Sequence, residues 1–198
     1  NALPGDITNA TEYWPSGSTV DGNGDKKIAG NSEGIRIWQH LQLARLINSG
    51  SYTGVSARAE IPGVNVGASK YANNAGYHWF AFKDPPNTNA WSYGSALIYG
   101  KSNPVVLGFG AVRSGDGMIV ADSMLTPADA FALDKKADDG IPNLGLIFVD
   151  NGLNTGAGSC VNNGATNVAR ASLVALGATV TYALEAPNVG CRMMFIYR

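Results

Sequence analysis

The chain has 198 residues, a net charge of −1 from 14 basic and 15 acidic side chains, and 45% hydrophobic residues. That apolar share can fill a core and excludes a disordered chain, and balanced charge with no basic stripe argues against nucleic-acid binding. Only 15% of residues are charged, so Asn, Ser and Thr, with 25 Gly and 9 Pro, must furnish a surface of turns and long loops.

The length fits one domain spanning residues 1–198. The longest apolar run, Leu144 to Val149, is far short of the ~20 residues that cross a bilayer. The chain opens Asn1-Ala2-Leu3-Pro4-Gly5-Asp6 without an initiator Met, and reads as the mature or truncated part of a longer product.

Residues 1–32 read as a loop region. Within it, Asp21-Gly22-Asn23-Gly24-Asp25-Lys26-Lys27-Ile28 resembles the opening of a calcium loop. Oxygen ligands fall at positions one, three and five (Asp21, Asn23, Asp25), a backbone carbonyl at seven (Lys27) and an apolar residue at eight (Ile28). Two features depart from that pattern: Lys26 stands where Gly is usual, and the distal carboxylate, Glu33, lies one place beyond position twelve. The alternative is an Asx-turn loop without an ion; calcium is the preferred reading, with Asp21, Asn23, Asp25, Lys27 and Glu33 as ligands.

Ser32 can cap a helix over residues 33–48, stopped by Gly50. Ile37, Trp38, Leu41, Ala44 and Ile47 form its apolar stripe, which leaves Trp38 as a core anchor and His40 facing solvent. Residues 50–76 read as irregular. From residue 77 to 198 the chain reads mainly as strands: Tyr77 to Phe82, Ser95 to Tyr99, Val105 to Val112 and Leu144 to Val149, with Ala178 to Leu184 and Cys191 to Tyr197 as a closing pair.

A helix over about 127–139 interrupts them. Thr126 is its N-cap, Pro127 its first residue, and Ala128, Phe131, Ala132 and Lys135 share one side, with Gly140 and Pro142 at its end. Asp138 and Asp139 then fall at a helix C-terminus, where the macrodipole disfavours negative charge. Lys135 and Lys136, backbone N–H groups of the following turn, or a cation could offset this; capping by the protein is preferred. The sum is an α+β fold, an antiparallel sheet with packed helices and long Gly/Asn-rich loops.

Cys160 and Cys191 both sit beside turn residues, with no nearby His and no second Cys pair to complete a metal site. A bridge between them closes a loop of 32 residues and implies an oxidising compartment; the alternative is two reduced core cysteines. No catalytic constellation stands out, so the chain reads as a non-enzyme. His78, inside Tyr77-His78-Trp79-Phe80, reads as a structural residue. Trp14, Tyr77, Trp79, Trp91 and Tyr93 could stack a sugar, although packing against the sheet is the preferred reading.

Several segments resemble bacterial type IV pilin-like proteins, including the pseudopilins of type II secretion. They are Asn1-Ala2-Leu3-Pro4-Gly5-Asp6 with Asn9-Ala10-Thr11 and Tyr13-Trp14, the 21–25 loop, Trp38-Gln39-His40-Leu41, and Leu125-Thr126-Pro127-Ala128-Asp129-Ala130 running on through Asp134-Lys135-Lys136-Ala137-Asp138-Asp139-Gly140-Ile141-Pro142. Cys160 and Cys191 resemble the C-terminal disulfide of such domains. The family's Gly-Phe-Thr-Leu-x-Glu processing site and hydrophobic helix are not in this sequence. The resemblance therefore implies an isolated pilin-like head domain. It further implies a structural role in a filament, other pilin or pseudopilin subunits as partners, membrane contact only through the missing helix, and a periplasmic or extracellular location. A secreted carbohydrate- or surface-binding module is the alternative.

Overall fold

The computed structural model describes residues 2–14, 19–28, 30–55, 60–81, 105–113, 120–152, 154–155, 159–162 and 180–197. They include the helices α1 (Ala10–Tyr13), α2 (Gly30–Leu43) and α3 (Pro127–Ala137). The strands are β1 (Gly67–Ala68), β2 (Ala75–Ala81), β3 (Val105–Val112), β4 (Val120–Asp122), β5 (Ile147–Asn151), β6 (Val161–Asn162), β7 (Thr181–Tyr182) and β8 (Cys191–Tyr197). The expected α+β mixture with an antiparallel sheet is present. The strand expected at Ser95 to Tyr99 lies outside the described residues, as do Trp91 and Tyr93.

The main sheet runs β1-β2-β3-β8-β5, with β4 also on β3, and β6 pairs with β7 in a separate ribbon. Pairing in the main sheet is antiparallel throughout. Register places Tyr77, Phe109, Met193 and Val149 in one row across four strands, and His78, Gly108, Met194 and Phe148 in the next. Because side chains alternate between faces, these rows belong to opposite sides. On the first side, Phe109, Met193, Ile147 and Val149 pack with Ala130 of α3 and with Val161, Val180 and Tyr182 of the ribbon. On the second side α2 packs, with Ile35 against Val66 and Val120. The sheet is covered on both faces, which is why β8 is buried over Cys191 to Met194 instead of alternating.

α2 passes unusually close to the sheet at Gly34, where a Cβ would lie 1.9 Å from the Trp79 carbonyl oxygen of β2. The helix also differs from expectation at both ends. Ser32 lies inside it, two residues past the Gly30 start, and it stops at Leu43, well before Gly50. Its end is a Schellman turn: the Leu46 N–H donates to Leu41 O and the Arg45 N–H to Gln42 O, both at 2.9 Å. Arg45 takes the left-handed conformation usually given to Gly (φ 58°). Local hydrogen bonding closed the helix seven residues ahead of the glycine.

α3 begins as expected. Thr126 Oγ1 accepts the Asp129 N–H at 3.1 Å and donates to Asp129 Oδ2 at 2.7 Å, with Pro127 in the first turn. Its inward residues are Pro127, Ala130 and Asp134. Ala128, Ala132 and Lys135 of the expected stripe are exposed, because the helix is rotated to bury Asp134 against Tyr182. α3 ends at Ala137, with Asp138 as its C-cap.

β5 starts at Ile147, three residues later than expected, because the Leu146 and Ile147 N–H groups both donate to Asp138 Oδ2. β7 and β8 do not pair with each other: β7 pairs with β6, and β8 lies between β3 and β5. α1, β1, β4 and β6 were not anticipated; they have four, two, three and two residues, too few for a periodic signal.

Cys160 and Cys191 are joined by a disulfide. Cys191 opens β8 opposite Asn151, whose Oδ1 accepts the N–H groups of Cys160 at 2.7 Å and Val161 at 3.3 Å. The bridge and this amide fasten the second ribbon to one end of the sheet.

Candidate metal centre

The N-terminal segment and the 21–27 loop are pressed together backbone to backbone. A Cβ on Gly22 would meet Asp6 Cα at 2.4 Å, and the Gly22 N–H donates to Ile7 O at 2.7 Å. Asp6, only 1% exposed, holds the loop from inside: Oδ1 accepts the Gly24 N–H at 2.7 Å and Oδ2 the Lys26 N–H at 2.8 Å. Lys26, where a calcium loop usually has Gly, takes a positive φ of 63°. The turn that Gly would allow freely is therefore imposed on Lys26 by its hydrogen bond to Asp6. Ile28 is buried beneath the loop, as its position suggests.

Asp25 and Glu33, both expected as ligands, come together. One carboxylate oxygen from each of Asp6, Asp25 and Glu33 lies within 4.8 Å of the others, a group that could hold a metal ion. Asp25 is exposed, whereas Asp6 and Glu33 are buried. Asp21 is placed elsewhere, its Oδ1 accepting the Thr11 N–H at 2.9 Å and its Oδ2 the Thr11 hydroxyl at 3.2 Å. Asn23 Oδ1 accepts the Asp25 N–H and Asp25 Oδ1 accepts the Lys27 N–H, both at 2.9 Å, in successive Asx turns. The Lys27 N–H is thus used inside the loop. Asp6 was missed because Pro4-Gly5-Asp6 reads as a turn; the legible signal was an acceptor directly after a turn glycine.

His40 is 2% exposed, not solvent-facing. Its Nδ1 accepts the Gly5 N–H at 2.9 Å, and its ring lies 5.3 Å from that of Trp14. Segment 5–14 uses α2 as its floor, and this turned His40 inward. Burial first, and then the charge of Arg36, hold the His40 pKa below 6.5, while the Val20 backbone and Asp21 oppose them. The unfolded state therefore takes up a proton near pH 6.5 that the folded state resists. His40 contributes fully above that pH, and its contribution falls as pH drops through and below it, by at most about 1.4 kcal/mol per pH unit. Urea unfolding at pH 7.5 and 5.5 should show this loss in the native protein and a smaller one in His40→Gln. Equal losses in the two proteins would remove His40 as the cause.

His78, also buried, pairs through Nδ1 with Glu60 Oε1 at 2.5 Å, and Glu60 Oε2 accepts the Val120 N–H at 2.7 Å. Both side chains are 1% exposed, and the pair joins residue 60 to β2 and β4. Arg192 of β8 is similarly enclosed: it donates to Ala121 O at 3.3 Å and lies 3.6 Å from Asp150 Oδ2, and burial pulls its pKa down to about 9.

Several described aromatic rings pack on one another, while Tyr13, Tyr71 and Tyr197 are exposed. Trp38 stacks on Tyr52, Tyr77 on Phe109, and Trp79 meets Tyr197 edge-on. An apolar pocket of about 220 Å³ lies between the end of α3 and β7, lined by Phe131, Ile141, Pro142, Val180 and Leu184 among others. No described helix is long and apolar enough to cross a membrane. No protein-family model, curated protein or solved structure matches this chain.

Proposed function

We propose that this chain is the globular head of a type IV pilus-like or pseudopilus filament subunit. In this reading a hydrophobic helix preceding Asn1 anchors the precursor in the inner membrane and then packs in the filament core. The sequence resemblance supports it, and one structural observation carries it: residues 5–7 are locked to both α2 and the 22–26 loop. The lock consists of the Gly5–His40 bond, the two Asp6 bonds and the Ile7–Gly22 bond. A head fed by a core helix needs such an attachment, because load between helix and head passes through these few residues.

The test is expression behind the native upstream sequence in a cell that has the assembly machinery, with the head labelled by antibody on sheared filaments. Without the helix, the 198-residue chain should be monomeric at micromolar concentration. Unaided polymerisation would refute the dependence on the helix. Hydrolytic turnover abolished by one carboxylate substitution would refute the structural role.

Calcium is the ion best suited to Asp6, Asp25 and Glu33, since it takes six to eight oxygens with flexible geometry. With a dissociation constant of ~10⁻⁴–10⁻³ M, it adds about 0.4–1.4 kcal/mol of stability at 1 mM. Melting with calcium against chelator should show a rise in the native protein that Asp25→Asn with Glu33→Gln removes. Asp21→Asn should leave that rise intact, because Asp21 is engaged with Thr11. An unchanged native melting temperature would dispose of the site.

A further inference from the structure

We propose that His40 is an acid-sensitive latch: by taking up a proton on Nδ1 it releases the N-terminal segment 5–14 from α2 while the sheet stays folded. This is a local opening, distinct from unfolding of the whole chain. It rests neither on the filament reading nor on a bound ion.

Segment 5–14 and the 21–28 loop form one unit. Asp6 accepts the Gly24 and Lys26 N–H groups, the Gly22 N–H donates to Ile7 O, and Asp21 accepts the Thr11 N–H and hydroxyl. Two of the unit's polar contacts with α2 lie one helical turn apart. Arg36 Nη1 donates to Asp21 O at 2.9 Å, and His40 Nδ1 accepts the Gly5 N–H at 2.9 Å, with the Trp14 ring 5.3 Å from the imidazole. Neither segment contributes a strand to the sheet, so the unit can lift without breaking a ladder.

A backbone N–H only donates, so Nδ1 must present a lone pair, and the neutral ring carries its single proton on Nε2. Imidazolium has a proton on both nitrogens and no acceptor. Protonation therefore turns the Gly5 bond into two N–H groups facing each other across 2.9 Å. Water cannot relieve them in place, because His40 is 2% exposed and Gly5 is buried. The new charge also stands four residues from Arg36, a spacing at which like charges repel. Relief comes when Gly5 moves off and both groups reach solvent.

The charges around the ring favour the closed, neutral form. Burial acts first and Arg36 of α2 second to hold the pKa below 6.5, against the Val20 backbone and Asp21 of the loop. The carboxylates of segment 5–14 are engaged elsewhere: Asp6 with Gly24 and Lys26, Glu12 with the Asn9 side chain. Glu33, two turns back on α2, lies beside Asp6 and Asp25. A neighbouring indole attracts an imidazolium, so opening starts at Gly5 rather than at Trp14. Once the ring is open to water its pKa returns toward 6.5, so the open state binds the proton and gains population as pH falls below that value.

Amide hydrogen exchange on the full chain, corrected for the intrinsic rate, reads the latch. The Gly5 N–H should be less protected than those of Met193 and Met194 in β8. Its exchange should be indifferent to low urea, since opening exposes little surface, whereas theirs should quicken. Between pH 7.5 and 5.5 the Gly5 protection factor should fall by about 3- to 10-fold. His40→Asn places Oδ1 close to where Nδ1 stands, accepts the Gly5 N–H at every pH, and should abolish that fall. Nitrogen NMR of the native ring should show Nδ1 unprotonated at pH 7.5, with its protonation following the loss of Gly5 protection; this decides the matter should the variant fail to fold. Gly5 protection equal at the two pH values would overturn the latch, as would an equal loss in folded His40→Asn. So would a neutral ring with its proton on Nδ1, or Gly5 exchange that shares the protection and urea dependence of Met193 and Met194.

Discussion

Replacing Cys160 and Cys191 together by alanine should lower the unfolding free energy by about 3–4 kcal/mol. The bridge closes a loop with a sequence separation of 31, and losing it returns that loop's freedom to the unfolded chain. Both cysteines are 0% exposed, so the lost sulfurs add a smaller packing term. Breaking the bridge also removes the covalent tie of the 160–162 segment to β8, leaving it held by the Asn151 side chain and by its pairing with β7. For a chain of this length the melting temperature should fall by roughly 6–16 °C. Native protein kept in strong reductant should approach the double variant. A loss below about 1 kcal/mol in urea, or indifference to reductant, would show that the bridge constrains little.

Gly34→Ala should destabilise the protein by about 2 kcal/mol or more, opposite in sign to helix propensity. In a free-standing helix, alanine would gain about 1 kcal/mol over glycine. Here the new Cβ would stand 1.9 Å from the Trp79 carbonyl oxygen. That oxygen is backbone and cannot swing aside like a side-chain tip. Trp79 is held between its neighbours in β2 and opposite Leu107 of β3, so either α2 lifts from the sheet or β2 bends. Both routes loosen the packing of Ile35 on Val66 and Val120. Lifting α2 would also disturb His40 and, through Gly5, the N-terminal clamp. Chemical denaturation of the variant is the direct check; a melting temperature equal to or above that of the native chain would mean that the helix has slack over β2.

The sequence by itself determined the features whose causes are local. Thr126-Pro127 fixes the start of α3, because cap and proline act within one turn. The bounds of β3 follow from the apolar run Val105 to Val112, and the Asx turns from Asn23 and Asp25. The cysteine pair was legible because nothing else in the chain competes for it. The remainder depended on which face another element covered. His40 and Asp134 lie at positions that helical spacing leaves outside, yet both are buried, the first beneath residues 5–14 and the second beneath Tyr182. Periodicity counts only apolar residues, so a helix face covered by polar partners gives no signal. Asp6 reaches Gly24 and Lys26 across 18 and 20 residues, and no local rule links those positions. The acidic group that formed therefore keeps Asp25 and Glu33 from the sequence reading and exchanges Asp21 for Asp6. Tertiary packing made that exchange: Thr11 satisfied one carboxylate, and the turn at Gly5 delivered another.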